Sequence, residues 1–166
     1  SSIEGLTTGD LERFVGKFWE DGFSNEWEPY IQNVDTTSYY GGRTDRLLWE
    51  NGKGVLSNFP TAHNFPSQIM NGKQVLGKSG LRITQMRHLP ITTYSGDVFG
   101  KNGATAVPEN LSHLPAIWCF CASPEYNEAV RQIDQSLKVT NATLAKVPFD
   151  LEHWTKIAEE NYTNGL

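Results

Sequence analysis

The best-spaced chemical motif in this chain is a match to a phosphate-binding loop. Residues 72–79 read GKQVLGKS, the P-loop pattern, in which backbone N–H groups cradle phosphates, the lysine reaches the β and γ oxygens and the serine holds Mg²⁺. A true P-loop follows a buried strand and opens a helix, but Gly80 and an alternating strand pattern follow here. Nucleotide hydrolysis by Lys78 and Ser79 is therefore only the alternative enzymatic interpretation.

The other reactive side chains do not have the spacing of a catalytic or metal centre. The chain has no HExxH pair and no Gly-x-Ser-x-Gly elbow, and its four histidines are scattered, at His63, His88, His113 and His153. Cys119 and Cys121 have no His or Cys at ligand spacing and cannot build a disulfide scaffold, so we expect reduced core thiols in a cytoplasmic protein. No catalytic residue, cofactor-binding residue or metal ligand is predicted.

The charged residues are distributed unevenly along the chain. Its 166 residues carry a net charge of −5, but residues 1–40 contribute −6 while residues 41–110 contribute +4. A local basic surface in an acidic chain can dock phosphates. The plainer interpretation, a solvated face on which cations happen to cluster, stays open.

The length of the chain is that of one domain, and residues 1–166 are predicted to form a single domain. Because the chain starts without Met, we expect it to be a fragment of a larger protein. No apolar run is long enough to span a bilayer, so no membrane partner is expected.

The first half of the chain predicts one helix followed by strands and turns. An apolar stripe at helical spacing predicts a helix over residues 8–20, capped by Thr7 or Thr8. Asn51-Gly52 tolerates the positive φ of a tight turn and predicts a hairpin over residues 47–56. Residues 57–80 are rich in Gly, Pro, Asn and Ser and predict an irregular segment with one short helix.

The second half predicts strands and then helices. Strands are expected at 81–85 and 91–94, and a second hairpin at 98–107 around the turn 100–103. Helices are expected at 114–122, after the start signal Ser123-Pro124-Glu125 with a stripe from Tyr126 to Leu137, and after the cap Asp150. The predicted class is α+β, with a mainly antiparallel, twisted sheet built from hairpins and flanked by an N-terminal helix and a C-terminal group of helices.

Three blocks of the sequence carry a likeness to a known family. They are EWEPY at 26–30 with YYGGRTDRLLWEN at 39–51, LRITQMR at 81–87 to VFGKNGA at 98–104, and LPAIW at 114–118 through SPEYNEAV at 123–130 to NATL at 141–144. The chain thereby resembles the C-terminal target-recognition region of large N6-adenine DNA methyltransferases from restriction–modification and phage-exclusion systems. The resemblance implies a parent enzyme that flips an adenine and methylates its N6 atom from S-adenosylmethionine.

The catalytic and cofactor motifs of that family are absent from this sequence. NFPT at 58–61 and NFPS at 64–67 lack the second proline and the final aromatic of the catalytic motif, and the glycine-rich methyl-donor loop is missing. The resemblance therefore implies a non-catalytic DNA-binding part. It places catalysis and S-adenosylmethionine in a separate catalytic domain of the same parent chain, which would be a partner of this one.

We predict that the basic centre grips double-stranded DNA. Phosphate contacts are expected from six cations, Arg43, Arg46, Lys73, Lys78, Arg82 and Lys101. Base edges are expected to be read by some of the four residues Gln85, Arg87, His88 and Asn102. These assignments require that the side chains converge on one face. A third interpretation is a protein-interaction domain that holds its parent together through the C-terminal helices and binds no DNA.

Overall fold

The computed structural model of the chain describes residues 2–20, 22, 24–59 and 72–166, and within them eight short strands form two four-stranded sheets. The first sheet has the order β1-β8-β5-β6 and is antiparallel throughout; the second has the order β2-β4-β3-β7 and is antiparallel except for the pair β3–β7. The strands are β1 Ser2–Glu4, β2 Val15–Lys17, β3 Trp27–Ile31, β4 Asp45–Leu48, β5 Gly80–Thr84, β6 Ile91–Tyr94, β7 Val98–Phe99 and β8 Gly103–Ala106.

Five helices complete the described part of the chain, and four of them follow the last strand. They are α1 Leu11–Phe14, α2 Leu114–Ala122, α3 Pro124–Ile133, α4 Asn141–Lys146 and α5 Leu151–Asn161. The predicted start signals are confirmed, because the side chain of Ser123 accepts from Tyr126 N and that of Asp150 accepts from His153 N. The α+β class is confirmed as well.

The two faces of the first sheet differ in polarity. Leu81 and Ile83 of β5 point to one face, where they pack with Ile91 and with the C-terminal helices in the largest core cluster. The alternate residues of the same strands point to the other face and are polar, namely Arg82, Thr84, Thr92 and Thr105. All four are buried, since the second sheet and its flanking turns cover that face.

The second sheet packs through two smaller clusters. Tyr30 and Leu47 lie in a cluster with Phe14 from α1, whereas Ile31 packs with Phe99 and other residues under the polar face of the first sheet. β3 therefore contributes alternate residues to two different cores, one on each of its sides.

The predicted helix over residues 8–20 is wrong beyond its first turn. Asp10, not Thr7 or Thr8, caps α1 by accepting from Arg13 N, and the helix ends at Phe14. The chain then becomes β2, in which Val15 pairs with Leu47. Sheet pairing with β4 outweighs the helical spacing of the apolar residues, since propensity and spacing are weak against tertiary contacts.

Neither predicted hairpin forms. Asn51 and Gly52 adopt the expected positive φ angles of 56° and 70°, but they sit in a 3₁₀ turn, Glu50–Gly52, and β4 pairs with β2 and β3 instead of residues 54–56. The turn at 100–103 connects the two sheets, because β7 pairs with β3 while β8 pairs with β5 and β1. In both cases the sequence predicts the turn correctly but predicts the wrong pairing for the strands beside it.

The remaining predictions hold in part. Strands β5 and β6 and helix α2 lie where expected, and both cysteines are free. The apolar stripe after Ser123 is buried at Tyr126 and Val130, but Leu137 lies beyond α3 and is 75% exposed. The irregular segment contributes the 3₁₀ turns Leu56–Asn58 and Lys73–Val75, while residues 60–71, with His63, lie outside the described residues. Among the helices described, none has the length and apolar character to cross a membrane.

A matched pair of leucine substitutions tests this packing. Leu81→Ala removes a fully buried side chain from the core between the first sheet and the helices, so we expect a loss of about 2–5 kcal/mol in unfolding free energy by urea denaturation. Leu137→Ala is the control and should change it by less than about 0.5 kcal/mol. Equal effects of the two substitutions would contradict the assignment of the core.

Candidate nucleic-acid interface

Arg82 occupies the interior between the two sheets. It is 0% exposed, and its guanidinium donates to the carbonyls of Gly103 (Nη1, 2.9 Å) and Gly100 (Nη2, 2.6 Å). Nη1 also lies 3.3 Å from Thr105 Oγ1, and the guanidinium carbon lies 5.3 Å from the centre of the Phe99 ring. A side chain in this position cannot reach a DNA phosphate, so the predicted phosphate contact of Arg82 is wrong. The alternation of apolar and polar residues in β5 predicts that its polar face is exposed to solvent, but the second sheet covers that face.

Burial also changes the ionisation of Arg82 and of its neighbours. Desolvation lowers the pKa of Arg82 to about 10, partly opposed by the nearby tyrosines, and desolvation raises the pKa of Tyr30 to about 12. Burial, aided by Asp97, raises the pKa of Tyr94 as well. At neutral pH the arginine is therefore charged and the tyrosine hydroxyls are protonated, and the cation is compensated by carbonyl dipoles.

Two more of the predicted contact residues are engaged inside the protein. Arg43 has a side chain that is 7% exposed and donates to Asp97, Ser95 and the carbonyls of Gly41 and Thr93. Gln85 is buried and donates from Nε2 to Asn141 Oδ1 at 2.7 Å, at the start of α4. The predictions of direct DNA contact by Arg43 and Gln85 are wrong, because the Arg43 guanidinium and the Gln85 amide nitrogen donate to neighbouring segments of the protein instead.

The β5–β6 loop forms one half of a shared edge. Its residues Arg87 and Leu89 adopt left-handed φ angles of 58° and 57°, which cost energy in residues with a Cβ. The conformation is held from several sides: Leu89 N donates to Met86 O, the guanidinium of Arg131 donates to Arg87 O at 2.6 Å, and Leu89 is buried. The exposed side chains of Arg87 and His88 are thus presented by a constrained loop.

The turn between β7 and β8 forms the other half. Asn33 Nδ2 donates to Asn102 O at 2.7 Å, and Lys101 N donates to Leu6 O at 3.0 Å. With the two bonds from Arg82 at Gly100 and Gly103, the backbone of this turn is fixed at four positions. Lys101 and Asn102 extend from it into solvent.

Residues 33–35 join the two halves. Thr84 Oγ1 at the end of β5 exchanges hydrogen bonds with the backbone of Val34, and Asp35 pairs with Arg87 at 3.0 Å. Met86 pairs with Lys138, which adds a cation from the segment between α3 and α4. The exposed residues brought together here will be called the loop edge: Arg87, His88, Lys101, Asn102 and Lys138.

The other predicted cations lie elsewhere. Lys73 and Lys78 precede β5, whereas the loop edge follows it. The length of β5, about 13 Å of extended chain, therefore separates these two lysines from the loop edge. Arg46 is half-buried in β4, within the second sheet. The positive residues of the basic centre therefore do not converge on one face, and only part of the predicted set is assembled.

The P-loop pattern lacks the required structure. Gly72 is left-handed, Lys73–Val75 forms a single 3₁₀ turn, and the residues after Ser79 enter strand β5 where a P-loop would begin a helix. The residues described contain no cluster of three His, Cys, Asp or Glu that could hold a metal ion.

Sequence reasoning missed Lys138, Arg131 and Asn33. Lys138 and Arg131 lie about fifty residues along the chain from the β5–β6 loop that they contact. No sequence pattern predicts the pairing of Met86 with Lys138. Asn33 follows a strand end, where an amide often serves a turn. That signal could have marked it as a structural residue but not as the partner of Asn102.

No family model matches the chain, and no curated protein matches it at a significant level. The likeness to methyltransferase target-recognition regions therefore stays a prediction carried by its three sequence blocks.

Removing the buried cation should destabilise the fold. Arg82→Met leaves the carbonyls of Gly100 and Gly103 without donors, so the expected loss in unfolding free energy is about 2–5 kcal/mol in urea denaturation. Arg87→Met is the control, because Arg87 and Asp35 are both exposed and such a pair contributes about 0–1 kcal/mol. If Arg82→Met lost no more stability than Arg87→Met, the bracing role of Arg82 would be refuted.

Alkaline pH should unfold the protein through its buried tyrosines. Burial raises the pKa of Tyr30 to about 12 and also raises the pKa of Tyr94 and Tyr126, so the stability they provide is intact below pH 10 and is lost as the pH rises toward 12. The lowered pKa of Arg82 makes the folded state more stable as the pH rises, but this single group is outweighed by the three tyrosines. In an absorbance titration, we expect part of the tyrosines to ionise first and the rest only together with loss of secondary structure by circular dichroism. Ionisation of all six in one early step would contradict this.

Proposed function

We propose that this chain is a DNA-binding target-recognition domain and that the loop edge is its contact surface. The observation that carries the proposal is the assembly of Arg87, His88, Lys101 and Asn102, four of the predicted contact residues, at one end of the first sheet. They come from two different loops, and Lys138, from a distant part of the sequence, joins them there.

The chemistry of the loop edge suits a duplex. Arg87 and Asn102 have the donor geometry that reads guanine and adenine edges, while Lys101 and Lys138 can hold phosphates on either side. The pair Arg87–Asp35 is exposed on both sides, so its opening toward a base or phosphate costs little. The constrained backbone on both loops supports the proposal, since preorganised side chains lose less entropy on binding.

The same proposal assigns the chain's place in a larger protein. It would be the non-catalytic recognition part of an S-adenosylmethionine-dependent DNA adenine-N6 methyltransferase or restriction–modification enzyme of the cytoplasm. The methyl donor would bind in the catalytic domain of that parent. Support comes from the three sequence blocks described above.

Single alanine substitutions on the loop edge test whether it is the contact surface. We expect duplex affinity, measured by fluorescence anisotropy at two or more salt concentrations, to fall steeply with salt, because phosphate contacts release counterions. Lys101→Ala should weaken binding about three- to tenfold for all sequences and reduce the salt slope by about one. Arg87→Ala should relax the preference for one base pair, at a cost of about 1–3 kcal/mol.

Lys73→Ala and Lys78→Ala are the matched controls, since they remove the same charge from the opposite end of β5. They should leave affinity within about twofold after allowance for the change in net charge. Equal losses from Lys73→Ala and Lys101→Ala would refute the loop edge as the surface. Duplex binding that is undetectable at low salt, for the chain and for an intact parent alike, would refute the function and favour a protein-interaction domain.

A further inference from the structure

An exposed ion pair lies at the loop edge and joins two segments that are far apart in the chain. Arg87 Nη1 donates to Asp35 Oδ1 at 3.0 Å, and the two side chains are 66% and 91% exposed. Within the described residues, neither side chain makes another hydrogen bond. A cationic donor and an anionic acceptor therefore stand side by side at the surface, and both keep hydrogen-bonding capacity for a ligand.

The backbone beside each member of the pair is held in place. Val34, next to Asp35, exchanges hydrogen bonds with Thr84 Oγ1 at 3.2 and 3.0 Å. The Arg131 guanidinium donates to the carbonyl of Arg87 at 2.6 Å. Because both attachment points are fixed, the guanidinium and the carboxylate stay within reach of each other, and less conformational entropy is lost when a ligand binds to them.

The carboxylate of Asp35 restricts what this surface can bind. Lys101 and Lys138 can hold phosphates at the loop edge, but an anion placed among them repels a DNA backbone. A carboxylate only accepts hydrogen bonds, so it favours a ligand that presents a donor. In the major groove of DNA the donors are the amino groups of cytosine N4 and adenine N6. Asp35 therefore favours a base pair that offers an amino group beside an acceptor for Arg87.

A G·C base pair offers these two groups at a matching distance. Guanine O6 and cytosine N4 lie about 2.9 Å apart in the major groove, because they hydrogen-bond to each other. Arg87 Nη1 and Asp35 Oδ1 lie 3.0 Å apart. The guanidinium can thus donate to O6 and N7 of guanine while the carboxylate accepts from N4 of cytosine, and the two contacts can form at once.

The other base pairs are less complementary to the ion pair. A T·A pair in the same direction offers thymine O4 and adenine N6, but it places the thymine methyl group beside the guanidinium and the adenine N7 acceptor beside the carboxylate. The C·G and A·T pairs place an amino group against the guanidinium and an oxygen acceptor against the carboxylate. Repulsion therefore adds to the loss of attraction for all three alternatives.

We propose that Asp35 and Arg87 together read one G·C base pair in the major groove, which makes Asp35 a specificity-determining residue of the loop edge. The inference rests on the proposed function for the presence of duplex DNA. It goes further by naming the base pair and by giving an acidic residue a part in its selection.

The first experiment identifies the base pair. Selection from a randomised duplex pool gives the preferred site of the chain, and fluorescence anisotropy compares all four base pairs at each position of that site. We expect one position at which G·C binds about tenfold tighter than the other base pairs. At that position 7-deazaguanine, which lacks the N7 acceptor, should weaken binding about three- to tenfold. Inosine, which differs from guanine only in the minor groove, should bind like guanine.

The second experiment tests Asp35 by substitution. Asp35→Asn should lower the preference for G·C at this position to about threefold or less. The same substitution should raise the affinity for duplexes that lack the site, because a charge that repels phosphates is lost. A merely structural role would instead lower the affinity for all duplexes alike. Arg87→Lys keeps the charge but loses the planar fork, so it should lose the preference for guanine at the same position and at no other.

Glu160→Gln is the matched control, because it removes one exposed carboxylate from α5, a helix that contributes no residue to the loop edge. It should leave the preference for G·C unchanged. The inference is overturned if Asp35→Asn and Glu160→Gln keep the same preference, or if no position of the site selects G·C. It is also overturned if inosine is rejected while 7-deazaguanine is accepted, since the contact would then lie in the minor groove.

These outcomes separate the inference from the proposed function. If duplexes bind with a steep salt dependence but without the selection by Asp35, the reading of a G·C pair fails and the DNA-binding function stands. If no duplex binds at low salt, for the chain and for an intact parent alike, the proposed function fails and the inference fails with it.

Discussion

The buried guanidinium of Arg82 is the interaction on which the rest of the structure depends. It lies between two sheets, and its two terminal nitrogens donate to carbonyls of the segment that crosses from one sheet to the other. A cation in an interior is costly unless its hydrogen bonds are satisfied, so the chain has to bring oxygens to it. Gly103 makes this approach possible, because a Cβ there would lie 2.8 Å from Ile83 O and 3.0 Å from Arg82 Cζ. The threonines around Arg82 extend the polar layer without adding charge.

The same interaction sets the shape of the candidate surface. By holding both ends of the turn at 100–103, Arg82 fixes the direction in which Lys101 leaves the protein, although it touches no solvent itself. Asn33 and Thr84 then attach the neighbouring loop to this turn. The interior polar layer and the outer edge are therefore connected by a continuous set of hydrogen bonds.

Cations that are close in sequence serve different purposes in this fold. Arg43 and Arg82 are structural, with their donors directed to backbone carbonyls and, for Arg43, to the half-buried carboxylate of Asp97, while Arg87 and Lys101 remain exposed. Arginine suits the structural positions because its planar fork of five donors can serve several acceptors at once. The net positive charge of the middle of the chain consequently overstates what is available to a ligand. What is available lies at one end of the first sheet, on the loop edge.

Local chemistry by itself determined the starts of α3 and α5, the position of helix α2, strands β5 and β6 and the turn residues Asn51 and Gly52, because caps, positive φ and residue alternation act over a few neighbours. The α+β class followed from the order of these elements. Tertiary structure alone decided that Val15 pairs with Leu47 rather than continuing a helix, that β7 and β8 enter different sheets, and that the polar face of β5 is covered. Each of these depends on a partner distant in the chain, and the alternation of β5 reads the same whether its polar side meets water or a second sheet. Arg82 is an arginine because it donates hydrogen bonds in the interior, and this role becomes visible only once the two sheets are packed together.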